Sequence, residues 1–386
     1  MIYPAIVVSA FNRPKSLKRL LHSLCLGNYP NNDIKLIISI DYEDSELNRT
    51  CCRIAKDFKW DFGSKEVIVY RENLGLKKHI LSCGDLTRIY DTVIVLEDDL
   101  YVSPNFYTYS IEANDFYYND KKVAGISLYC HKKNILNNFP FEPIDDNYDV
   151  YFLMLASSWG QLWNKIQWEN FREWFDNNKP IIFPDIFPQY IKKWPETSWL
   201  KHYTNYLVMH DKYFVYPKNS LTTNFSDAGT NNSLSNNDFQ VPLNFKFTNW
   251  KFVDYEKSIN VYDTFFEILP EKLSKLNPEL SSYNYEVDLN GLKPLSIVKS
   301  NLILSSKGLK RGRTSIKSFG LNLKPSTLNI VLKNKGDFFK LDEINNFENI
   351  NDNQLILERY YFHKQKIKYY LKLILRIFIS KFNFQQ

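Results

Sequence analysis

The chain has 386 residues, 44% hydrophobic and 24% charged, which is ordinary for a globular protein and excludes a disordered one. Only 12 residues are glycine, which excludes collagen-like and glycine-rich linker architectures, and no uncharged apolar run is long enough for an ordinary spanning helix. The net charge of +6 is concentrated in residues 355–386, where Arg359, Lys364, Lys366, Lys368, Lys372, Arg376 and Lys381 face one acid, Glu358; the rest balances, so no nucleic-acid partner is expected.

The opening MIYPAIVVSAFNRP has no basic region ahead of its apolar run and reads as a first strand rather than a leader. The segment SLKRLLHSLCL then has helical apolar spacing, DIKLIISID is a second strand, and SELNRTCCRIAKDF is helix-like. KEVIVY is a third strand, GLKKHILSCGDLTRIY a helix, and DTVIVLEDD a fourth strand. Alternation of helices with nearly continuous apolar strands predicts a parallel sheet covered on both faces.

Beyond Leu100 a helix follows SPNF, and KKVAGISLY is a strand. Residues 157–178, with Trp159, Trp163, Trp168 and Trp174, read as helical, with Trp163 and Trp168 as core. Residues 198–210 predict a helix, KYFVYP a strand, and 224–240 a loop. Residues 245–350 read as a less regular, strand-rich extension containing SIVKSNLILSS and LNIVL. The Asn-rich 345–353 then links to KIKYYLKLILRIFISKF, in which Lys368, Lys372 and Arg376 recur every four residues. A broad apolar face with one basic stripe suits an anionic membrane surface, and equally a helix docked on the protein itself.

Five cysteines, an odd number with no zinc spacing, read as plain thiols of a reducing compartment.

The strongest chemical signal is Glu97-Asp98-Asp99 at the end of the fourth strand. Adjacent carboxylates repel one another and gain nothing from burial, whereas parallel sheets bind ligands beyond the carboxyl ends of their strands. Hard oxygen ligands there suit Mg²⁺ or Mn²⁺ bridging to a diphosphate; the bland alternative is an acidic turn. The other strand ends carry Arg13, Asp41, and Asn73 with Gly75, Lys77 and His79. An arginine and an aspartate can bond the edges of a nucleotide base, and a lysine can balance phosphate charge. Taken singly, Arg13 reads as a helix-start residue, Asp41 as a cap of the second helix, and His79 as a surface residue.

The order VVSAFNRP, IISID, ENLGL and VIVLEDDLYVSPNFYTY resembles the inverting GT-A glycosyltransferases, closest to the N-acetylglucosaminyltransferase I-like branch and bacterial surface-polysaccharide relatives. The resemblance continues through SSWGQLW, TSWLKHY and YPKNSLTTNFSDAGTN and covers about residues 3–235. It implies an α/β GT-A fold, a mostly parallel Rossmann-like sheet with helices on both faces. Residues 1–110 would be its nucleotide-sugar half and 111–244 its acceptor half, followed by an extension (245–350) and a basic amphipathic tail (351–386). Asp99 would be the direct metal ligand, with Glu97 and Asp98 beside it holding sugar and ribose. Arg13 and Asp41 would contact the base, expected as uracil, and Ser158, Trp159 and Gly160 would line the donor-sugar and acceptor pocket. Relatives often carry an Asp as catalytic base where this chain has Thr197. Glu196, one residue earlier, is the candidate instead, with Asp185 and Asp227 behind it. Asn231 stands where relatives often have a His.

The implied activity is metal-dependent transfer of a sugar from a nucleotide-sugar, expected as a UDP-sugar, to a glycan or lipid-linked oligosaccharide acceptor. The implied place is the cytoplasmic face of a bacterial inner membrane, through the tail. A sugar-nucleotide pyrophosphorylase would need a glycine-rich loop after the first strand, which SAFNRPKSL lacks. A scaffold with a decayed site stays open, given Thr197 and Asn231, as does a membrane-tethered interaction module.

Overall fold

The computed structural model describes residues 2–227, 237–245, 249–349 and 353–362. The chain divides into two compact units, Met1–Lys132 with Glu142–Ser281, and Lys133–Phe141 with Ser282–Gln386.

The first unit opens with β1 (Ala5–Ala10), α1 (Pro14–Cys25), β2 (Leu36–Ile40), α2 (Glu46–Asp57), β3 (Lys65–Val69), α3 (Gly75–Asp85), α4 (Thr87–Tyr90) and β4 (Thr92–Glu97). It continues through β5 (Leu100–Val102), α5 (Phe106–Tyr117), β6 (Val123–Ser127), β7 (Val150–Leu153), β8 (Gln161–Asn164) and α6 (Lys165–Asn177). It ends with α7 (Gln189–Lys192), α8 (Trp199–His210), β9 (Tyr213–Pro217), β10 (Thr222–Asn224), β11 (Val261–Tyr262) and α9 (Pro270–Leu276). Residues 245–281 thus add β11 and α9 to this unit.

Nine strands form one sheet in the order β11-β7-β9-β6-β8-β4-β1-β2-β3. The pairs β1–β2, β2–β3, β1–β4, β6–β9 and β7–β11 are parallel; β4–β8, β6–β8 and β7–β9 are antiparallel. The α/β class expected from the alternating pattern is the one observed. Its cause is visible in β1, where all six residues of AIVVSA are buried. Ile6 and Val8 join a core with Leu17, Leu20 and Leu24 of α1, while Val7, pointing the other way, is equally buried. Both faces are covered, and each such side chain contributes about 1.5–3 kcal/mol.

Residues 157–178 are not helical throughout. Gln161–Asn164 forms β8, inserted antiparallel between β4 and β6, and α6 starts only at Lys165, where Asn164 and Gln167 close a capping box. A buried strand this short has no period that separates it from a helix. The same ambiguity holds for LNIVL, expected as part of a strand-rich extension: its first four residues lie in α10 (Thr327–Val331) and Leu332 caps that helix. The Asn329 amide there bonds the Leu323 carbonyl at 2.8 Å and the Ser326 carbonyl at 2.9 Å. Trp163 and Trp168 are fully buried, as expected, and all five cysteines are free thiols.

The second unit has a four-stranded sheet in the order β12 (Tyr285–Asp288), β13 (Leu302–Ser305), β15 (Phe339–Glu343), β14 (Lys317–Phe319). Buried Lys307 lies 2.8 Å from Asp288 and donates also to the carbonyls of Gly291 and Lys293. In α11 (Gln354–Phe362), Leu357 and Tyr361 are buried beside Phe139. Among the described residues no helix is long and apolar enough to cross a membrane. The basic stripe of the tail, and Asn231, lie outside the described residues.

The chain runs from β1 outward to β2 and β3, then returns to place β4 on the other side of β1. The carboxyl ends of β1 and β4 therefore flank a topological switch point, where an open parallel sheet leaves a crevice for a ligand.

Candidate functional site

Register puts Glu97 opposite Ser9 on β1, so Asp98 and Asp99 emerge at the switch point. Arg13 arrives from the other side, as the residue preceding Pro14 at the first turn of α1. Its guanidinium forks onto both acids, pairing with Asp98 and lying 2.9 Å from Asp99 Oδ2. The Asn224 amide donates to Asp99 Oδ1 at 3.1 Å, and the Phe225 N–H to the Asp99 carbonyl at 3.0 Å. The cluster is short of positive charge. Burial pushes Glu97 up to about 8, the charges of Asp99 and Asp98 adding to it and Arg13 opposing. Burial likewise pushes Asp98 up to about 6 against the pull of Arg13.

Among the described residues, the buried Asp98 Oδ2 has no hydrogen-bond partner. This orphan oxygen and the Asp99 carboxylate are hard donors of the kind Mg²⁺ or Mn²⁺ takes, and such ions complete their shell with phosphate oxygens and water. The residues fit that group in this limited sense. Among the described residues, no three His, Cys, Asp or Glu side chains make a complete cage.

Asp41, at the end of β2, does not cap α2, whose cap is Ser45. It accepts N–H groups from Tyr42 at 2.9 Å, Leu74 at 2.8 Å and Gly75 at 3.0 Å, and so anchors the start of α3. Gly75 sits at φ 73°, a left-handed backbone that favours glycine. The Asn73 amide donates to the Tyr42 carbonyl at 2.8 Å, binding the same two loops. His79 is not on the surface: it is 3% exposed, with its ring nitrogens 3.2 Å from Ser9 Oγ and 2.8 Å from Ser39 Oγ. Burial drives it down to about 4, with Asp41 opposing.

Lys77 reaches from α3 to the Glu196 carbonyl at 2.6 Å. The Glu196 carboxylate is paired with Lys201 and lies 3.7 Å from His202 Nε2, yet is 73% exposed. The Lys201 hydrogen bond holds it below the usual carboxylate range. Asp227 belongs to the other pole: Ser16 Oγ donates to it at 2.7 Å and Arg19 pairs with it while lying 3.8 Å over the Phe225 ring. Burial raises the Asp227 carboxyl, but Arg19 and Ser16 outweigh it and its pKa ends below the ordinary value. Asp185 is exposed in the loop before α7, with no hydrogen bond among the described residues.

Trp159 and Gly160 are joined to the acidic cluster by β10, which pairs with β5. Thr222 donates to the Trp159 carbonyl, and two residues on, Asn224 reaches Asp99. The Trp159 ring packs 4.6 Å from both Tyr129 and Phe239. Ser158 is partly exposed beside it. At Gly160, φ 92°, a Cβ would come within 2.8 Å of Thr222.

The structure therefore gathers Arg13, Asp98, Asp99 and Asp227 into one charged cluster. It joins Asp41, Asn73 and Gly75 in a second group and Lys77 with Glu196 in a third, and leaves Asp185 apart. Sequence reasoning missed Ser16, Arg19 and Asn224. The turn-forming Asn-Phe-Ser-Asp run was the available signal for the last, but it read only as a loop.

No family model matches the chain, and no curated protein matches it. Solved structures similar to it include S. aureus TarS 1–349 in complex with UDP, at 13% identity and TM-score 0.36, covering 57% of this chain and 59% of that one. The mannosyltransferase PcManGT from Pyrobaculum calidifontis in complex with GDP-Man and Mn²⁺ gives 12% identity and TM-score 0.35, over 56% and 55%. TarS 1–349 in complex with UDP-GlcNAc gives 13% and 0.32, over 58% and 62%. The chain spans less than two thirds of each of these neighbours, and its α/β class rests on the strand order itself.

Proposed function

We propose that the chain is a metal-dependent, inverting glycosyltransferase of the GT-A type, like the N-acetylglucosaminyltransferase I branch, acting in bacterial surface-polysaccharide synthesis. The donor is a nucleotide-sugar, first a UDP-sugar, and the acceptor a hydroxyl of a glycan or lipid-linked oligosaccharide. The observation that carries this reading is Glu97-Asp98-Asp99 facing Arg13 at the switch point between β1 and β4.

Asp99 and Asp98 would hold Mn²⁺ or Mg²⁺, which when bound neutralises the leaving nucleoside diphosphate. Asp41 already accepts three N–H groups, leaving about one acceptor position for a base edge. Arg13, turned onto the carboxylates, serves there as a fixed cation and a second contact for the donor. Lys77 adds a cation on the α3 side. Ser158, Trp159 and Gly160 line the sugar pocket.

In an inverting displacement the acceptor oxygen bonds to C1 as the C1–O bond to the diphosphate breaks, and the acceptor proton passes to a base on the far side. Asp227 is gathered into the charged cluster that would hold the metal, on the leaving-group side, which disfavours it, and Asp185 makes no hydrogen bond among the described residues. Glu196 is the assigned base: it stands outside the cluster that would hold the metal, and although Lys201 pairs with it, its carboxylate is 73% exposed and open to an acceptor. The basic tail would hold the protein at the cytoplasmic face of the membrane.

The test is donor hydrolysis over a panel of UDP-, GDP- and dTDP-sugars with Mn²⁺ or EDTA, on wild type, Asp99→Ala and Glu196→Gln. Metal-dependent release of one nucleoside diphosphate is expected, with both variants reduced about 100-fold or more. Full turnover in Asp99→Ala would overturn the metal assignment. Silence over the whole panel with UDP still bound would favour a nucleotide-sugar-binding scaffold.

A further inference from the structure

We infer that a second cavity of the first unit, remote from the acidic cluster, binds a neutral glycan. The cavity measures about 790 Å³ and lies between the carboxyl-terminal turns of α6 and α8. Asn119 and Lys121, just before β6, and Lys212, just before β9, complete its wall. Both strands run in the direction of β4, to which antiparallel β8 connects them. The cavity therefore opens at the amino-terminal edge of the sheet, opposite the edge that carries Asp98 and Asp99.

Its apolar side is aromatic. Trp174 lies 5.5 Å from Tyr206 and 6.3 Å from His210, ring centroid to centroid, and Tyr206 lies 4.9 Å from His210. Trp174 is only partly buried, so part of its ring remains available. Ring faces are electron-rich and attract the weakly positive C–H face of a sugar. Tyr206 lines the cavity, and among the described residues its hydroxyl makes no hydrogen bond. The hydroxyl is accessible to solvent, so it is free to bond a ligand hydroxyl in the cavity.

The rim is polar and mixed in charge. Asn170, Asn177 and Glu173 line it with donors and acceptors that no protein group engages among the described residues. Lys212 is already spent on the Lys121 carbonyl at 2.6 Å. Amides beside a ring platform, with one acid against two lysines, match a hydroxyl-rich uncharged ligand better than a phosphate or an acidic peptide. A volume of this size suits a short oligosaccharide segment.

The inference does not rest on the transfer reaction. The test is calorimetry and intrinsic fluorescence of the full chain, without nucleotide, titrated with maltotriose and with triacetylchitotriose. Saturable binding of at least one probe is expected. Trp174→Ala should weaken it about tenfold or more. Should that variant misfold, Asn177→Arg decides, because it fills the mouth of the cavity from an exposed rim position. It should block binding and leave donor hydrolysis unchanged, whereas Asp99→Ala should bind the probes as wild type does. No saturable binding at millimolar probe, or binding that Asn177→Arg leaves intact, would overturn the inference.

Discussion

At the scale of single residues, the site is organised by charges that the fold forces together. Asp41 is the clearest case, since one carboxylate closes the loop after β2 onto the start of α3 through the N–H groups of Leu74 and Gly75, with a third bond from Tyr42 in its own loop. Asp41→Ala should lower stability by about 1–3 kcal/mol, read as a shift of the urea midpoint. An unchanged midpoint would mean that water replaces the carboxylate without cost. His131 gives a pH signature. Enclosed by the rings of Tyr129, Trp159, Tyr216 and Phe266, it is driven by burial from 6.5 down to about 3. The unfolded chain takes up this proton near 6.5 and the fold refuses it. Its stabilisation is therefore complete above 6.5 and is lost as pH falls toward 3. Glu97 and Asp98, both raised, work in the opposite direction, so the contrast with His131→Gln is the measure. Between about pH 7 and pH 5 the variant should lose less stability than wild type. Parallel curves would refute a neutral buried His131.

Among the elements, α3 carries the most information. Its first turn is bonded by Asp41, His79 on its inner face sits between Ser9 and Ser39, and Gly84 near its end touches α6. A Cβ on Gly84 would lie 2.2 Å from the Trp168 ring, and that ring is held by its Nε1–H bond to Asp85 at 2.9 Å. Two effects of Gly84→Ala oppose each other. Helix propensity favours alanine by about 1 kcal/mol, while overpacking against a fixed indole costs about 1–3 kcal/mol. Because Trp168 cannot retreat without losing its bond to Asp85, packing wins, and calorimetry should find a lower melting temperature. A higher one would show that α3 slides freely past α6.

For the whole molecule, the expected membrane attachment belongs to the tail. Residues 363–386 hold six cations and no acid. In α11, by contrast, Leu357 and Tyr361 are buried in the second unit, so a truncation must stop after Phe362 to spare that packing. Removing residues 363–386 should abolish cosedimentation with anionic liposomes and leave the melting temperature in place. Retained binding would move the membrane contact elsewhere, and aggregation of the truncated protein would favour a tail docked on the chain itself.

The strands of the first hundred residues, their parallel sense and the acidic tip of β4 were legible without coordinates, because long apolar runs alternating with helical periods admit few other arrangements. The polar residues at the strand ends were legible for the same reason: a parallel sheet leaves its carboxyl ends for ligands. Short elements were not. Gln161–Asn164 and Thr327–Val331 are each under two helical turns, and at that length only the neighbours decide between strand and helix. The partners of each charge also belonged to the tertiary structure alone. Nothing local to Asp41 says that it binds Leu74 and Gly75, and nothing local to Asp99 says that Asn224, 125 residues away, closes on it. Periodicity reports which face a residue occupies; which charge meets which depends on contacts that only the folded chain brings together.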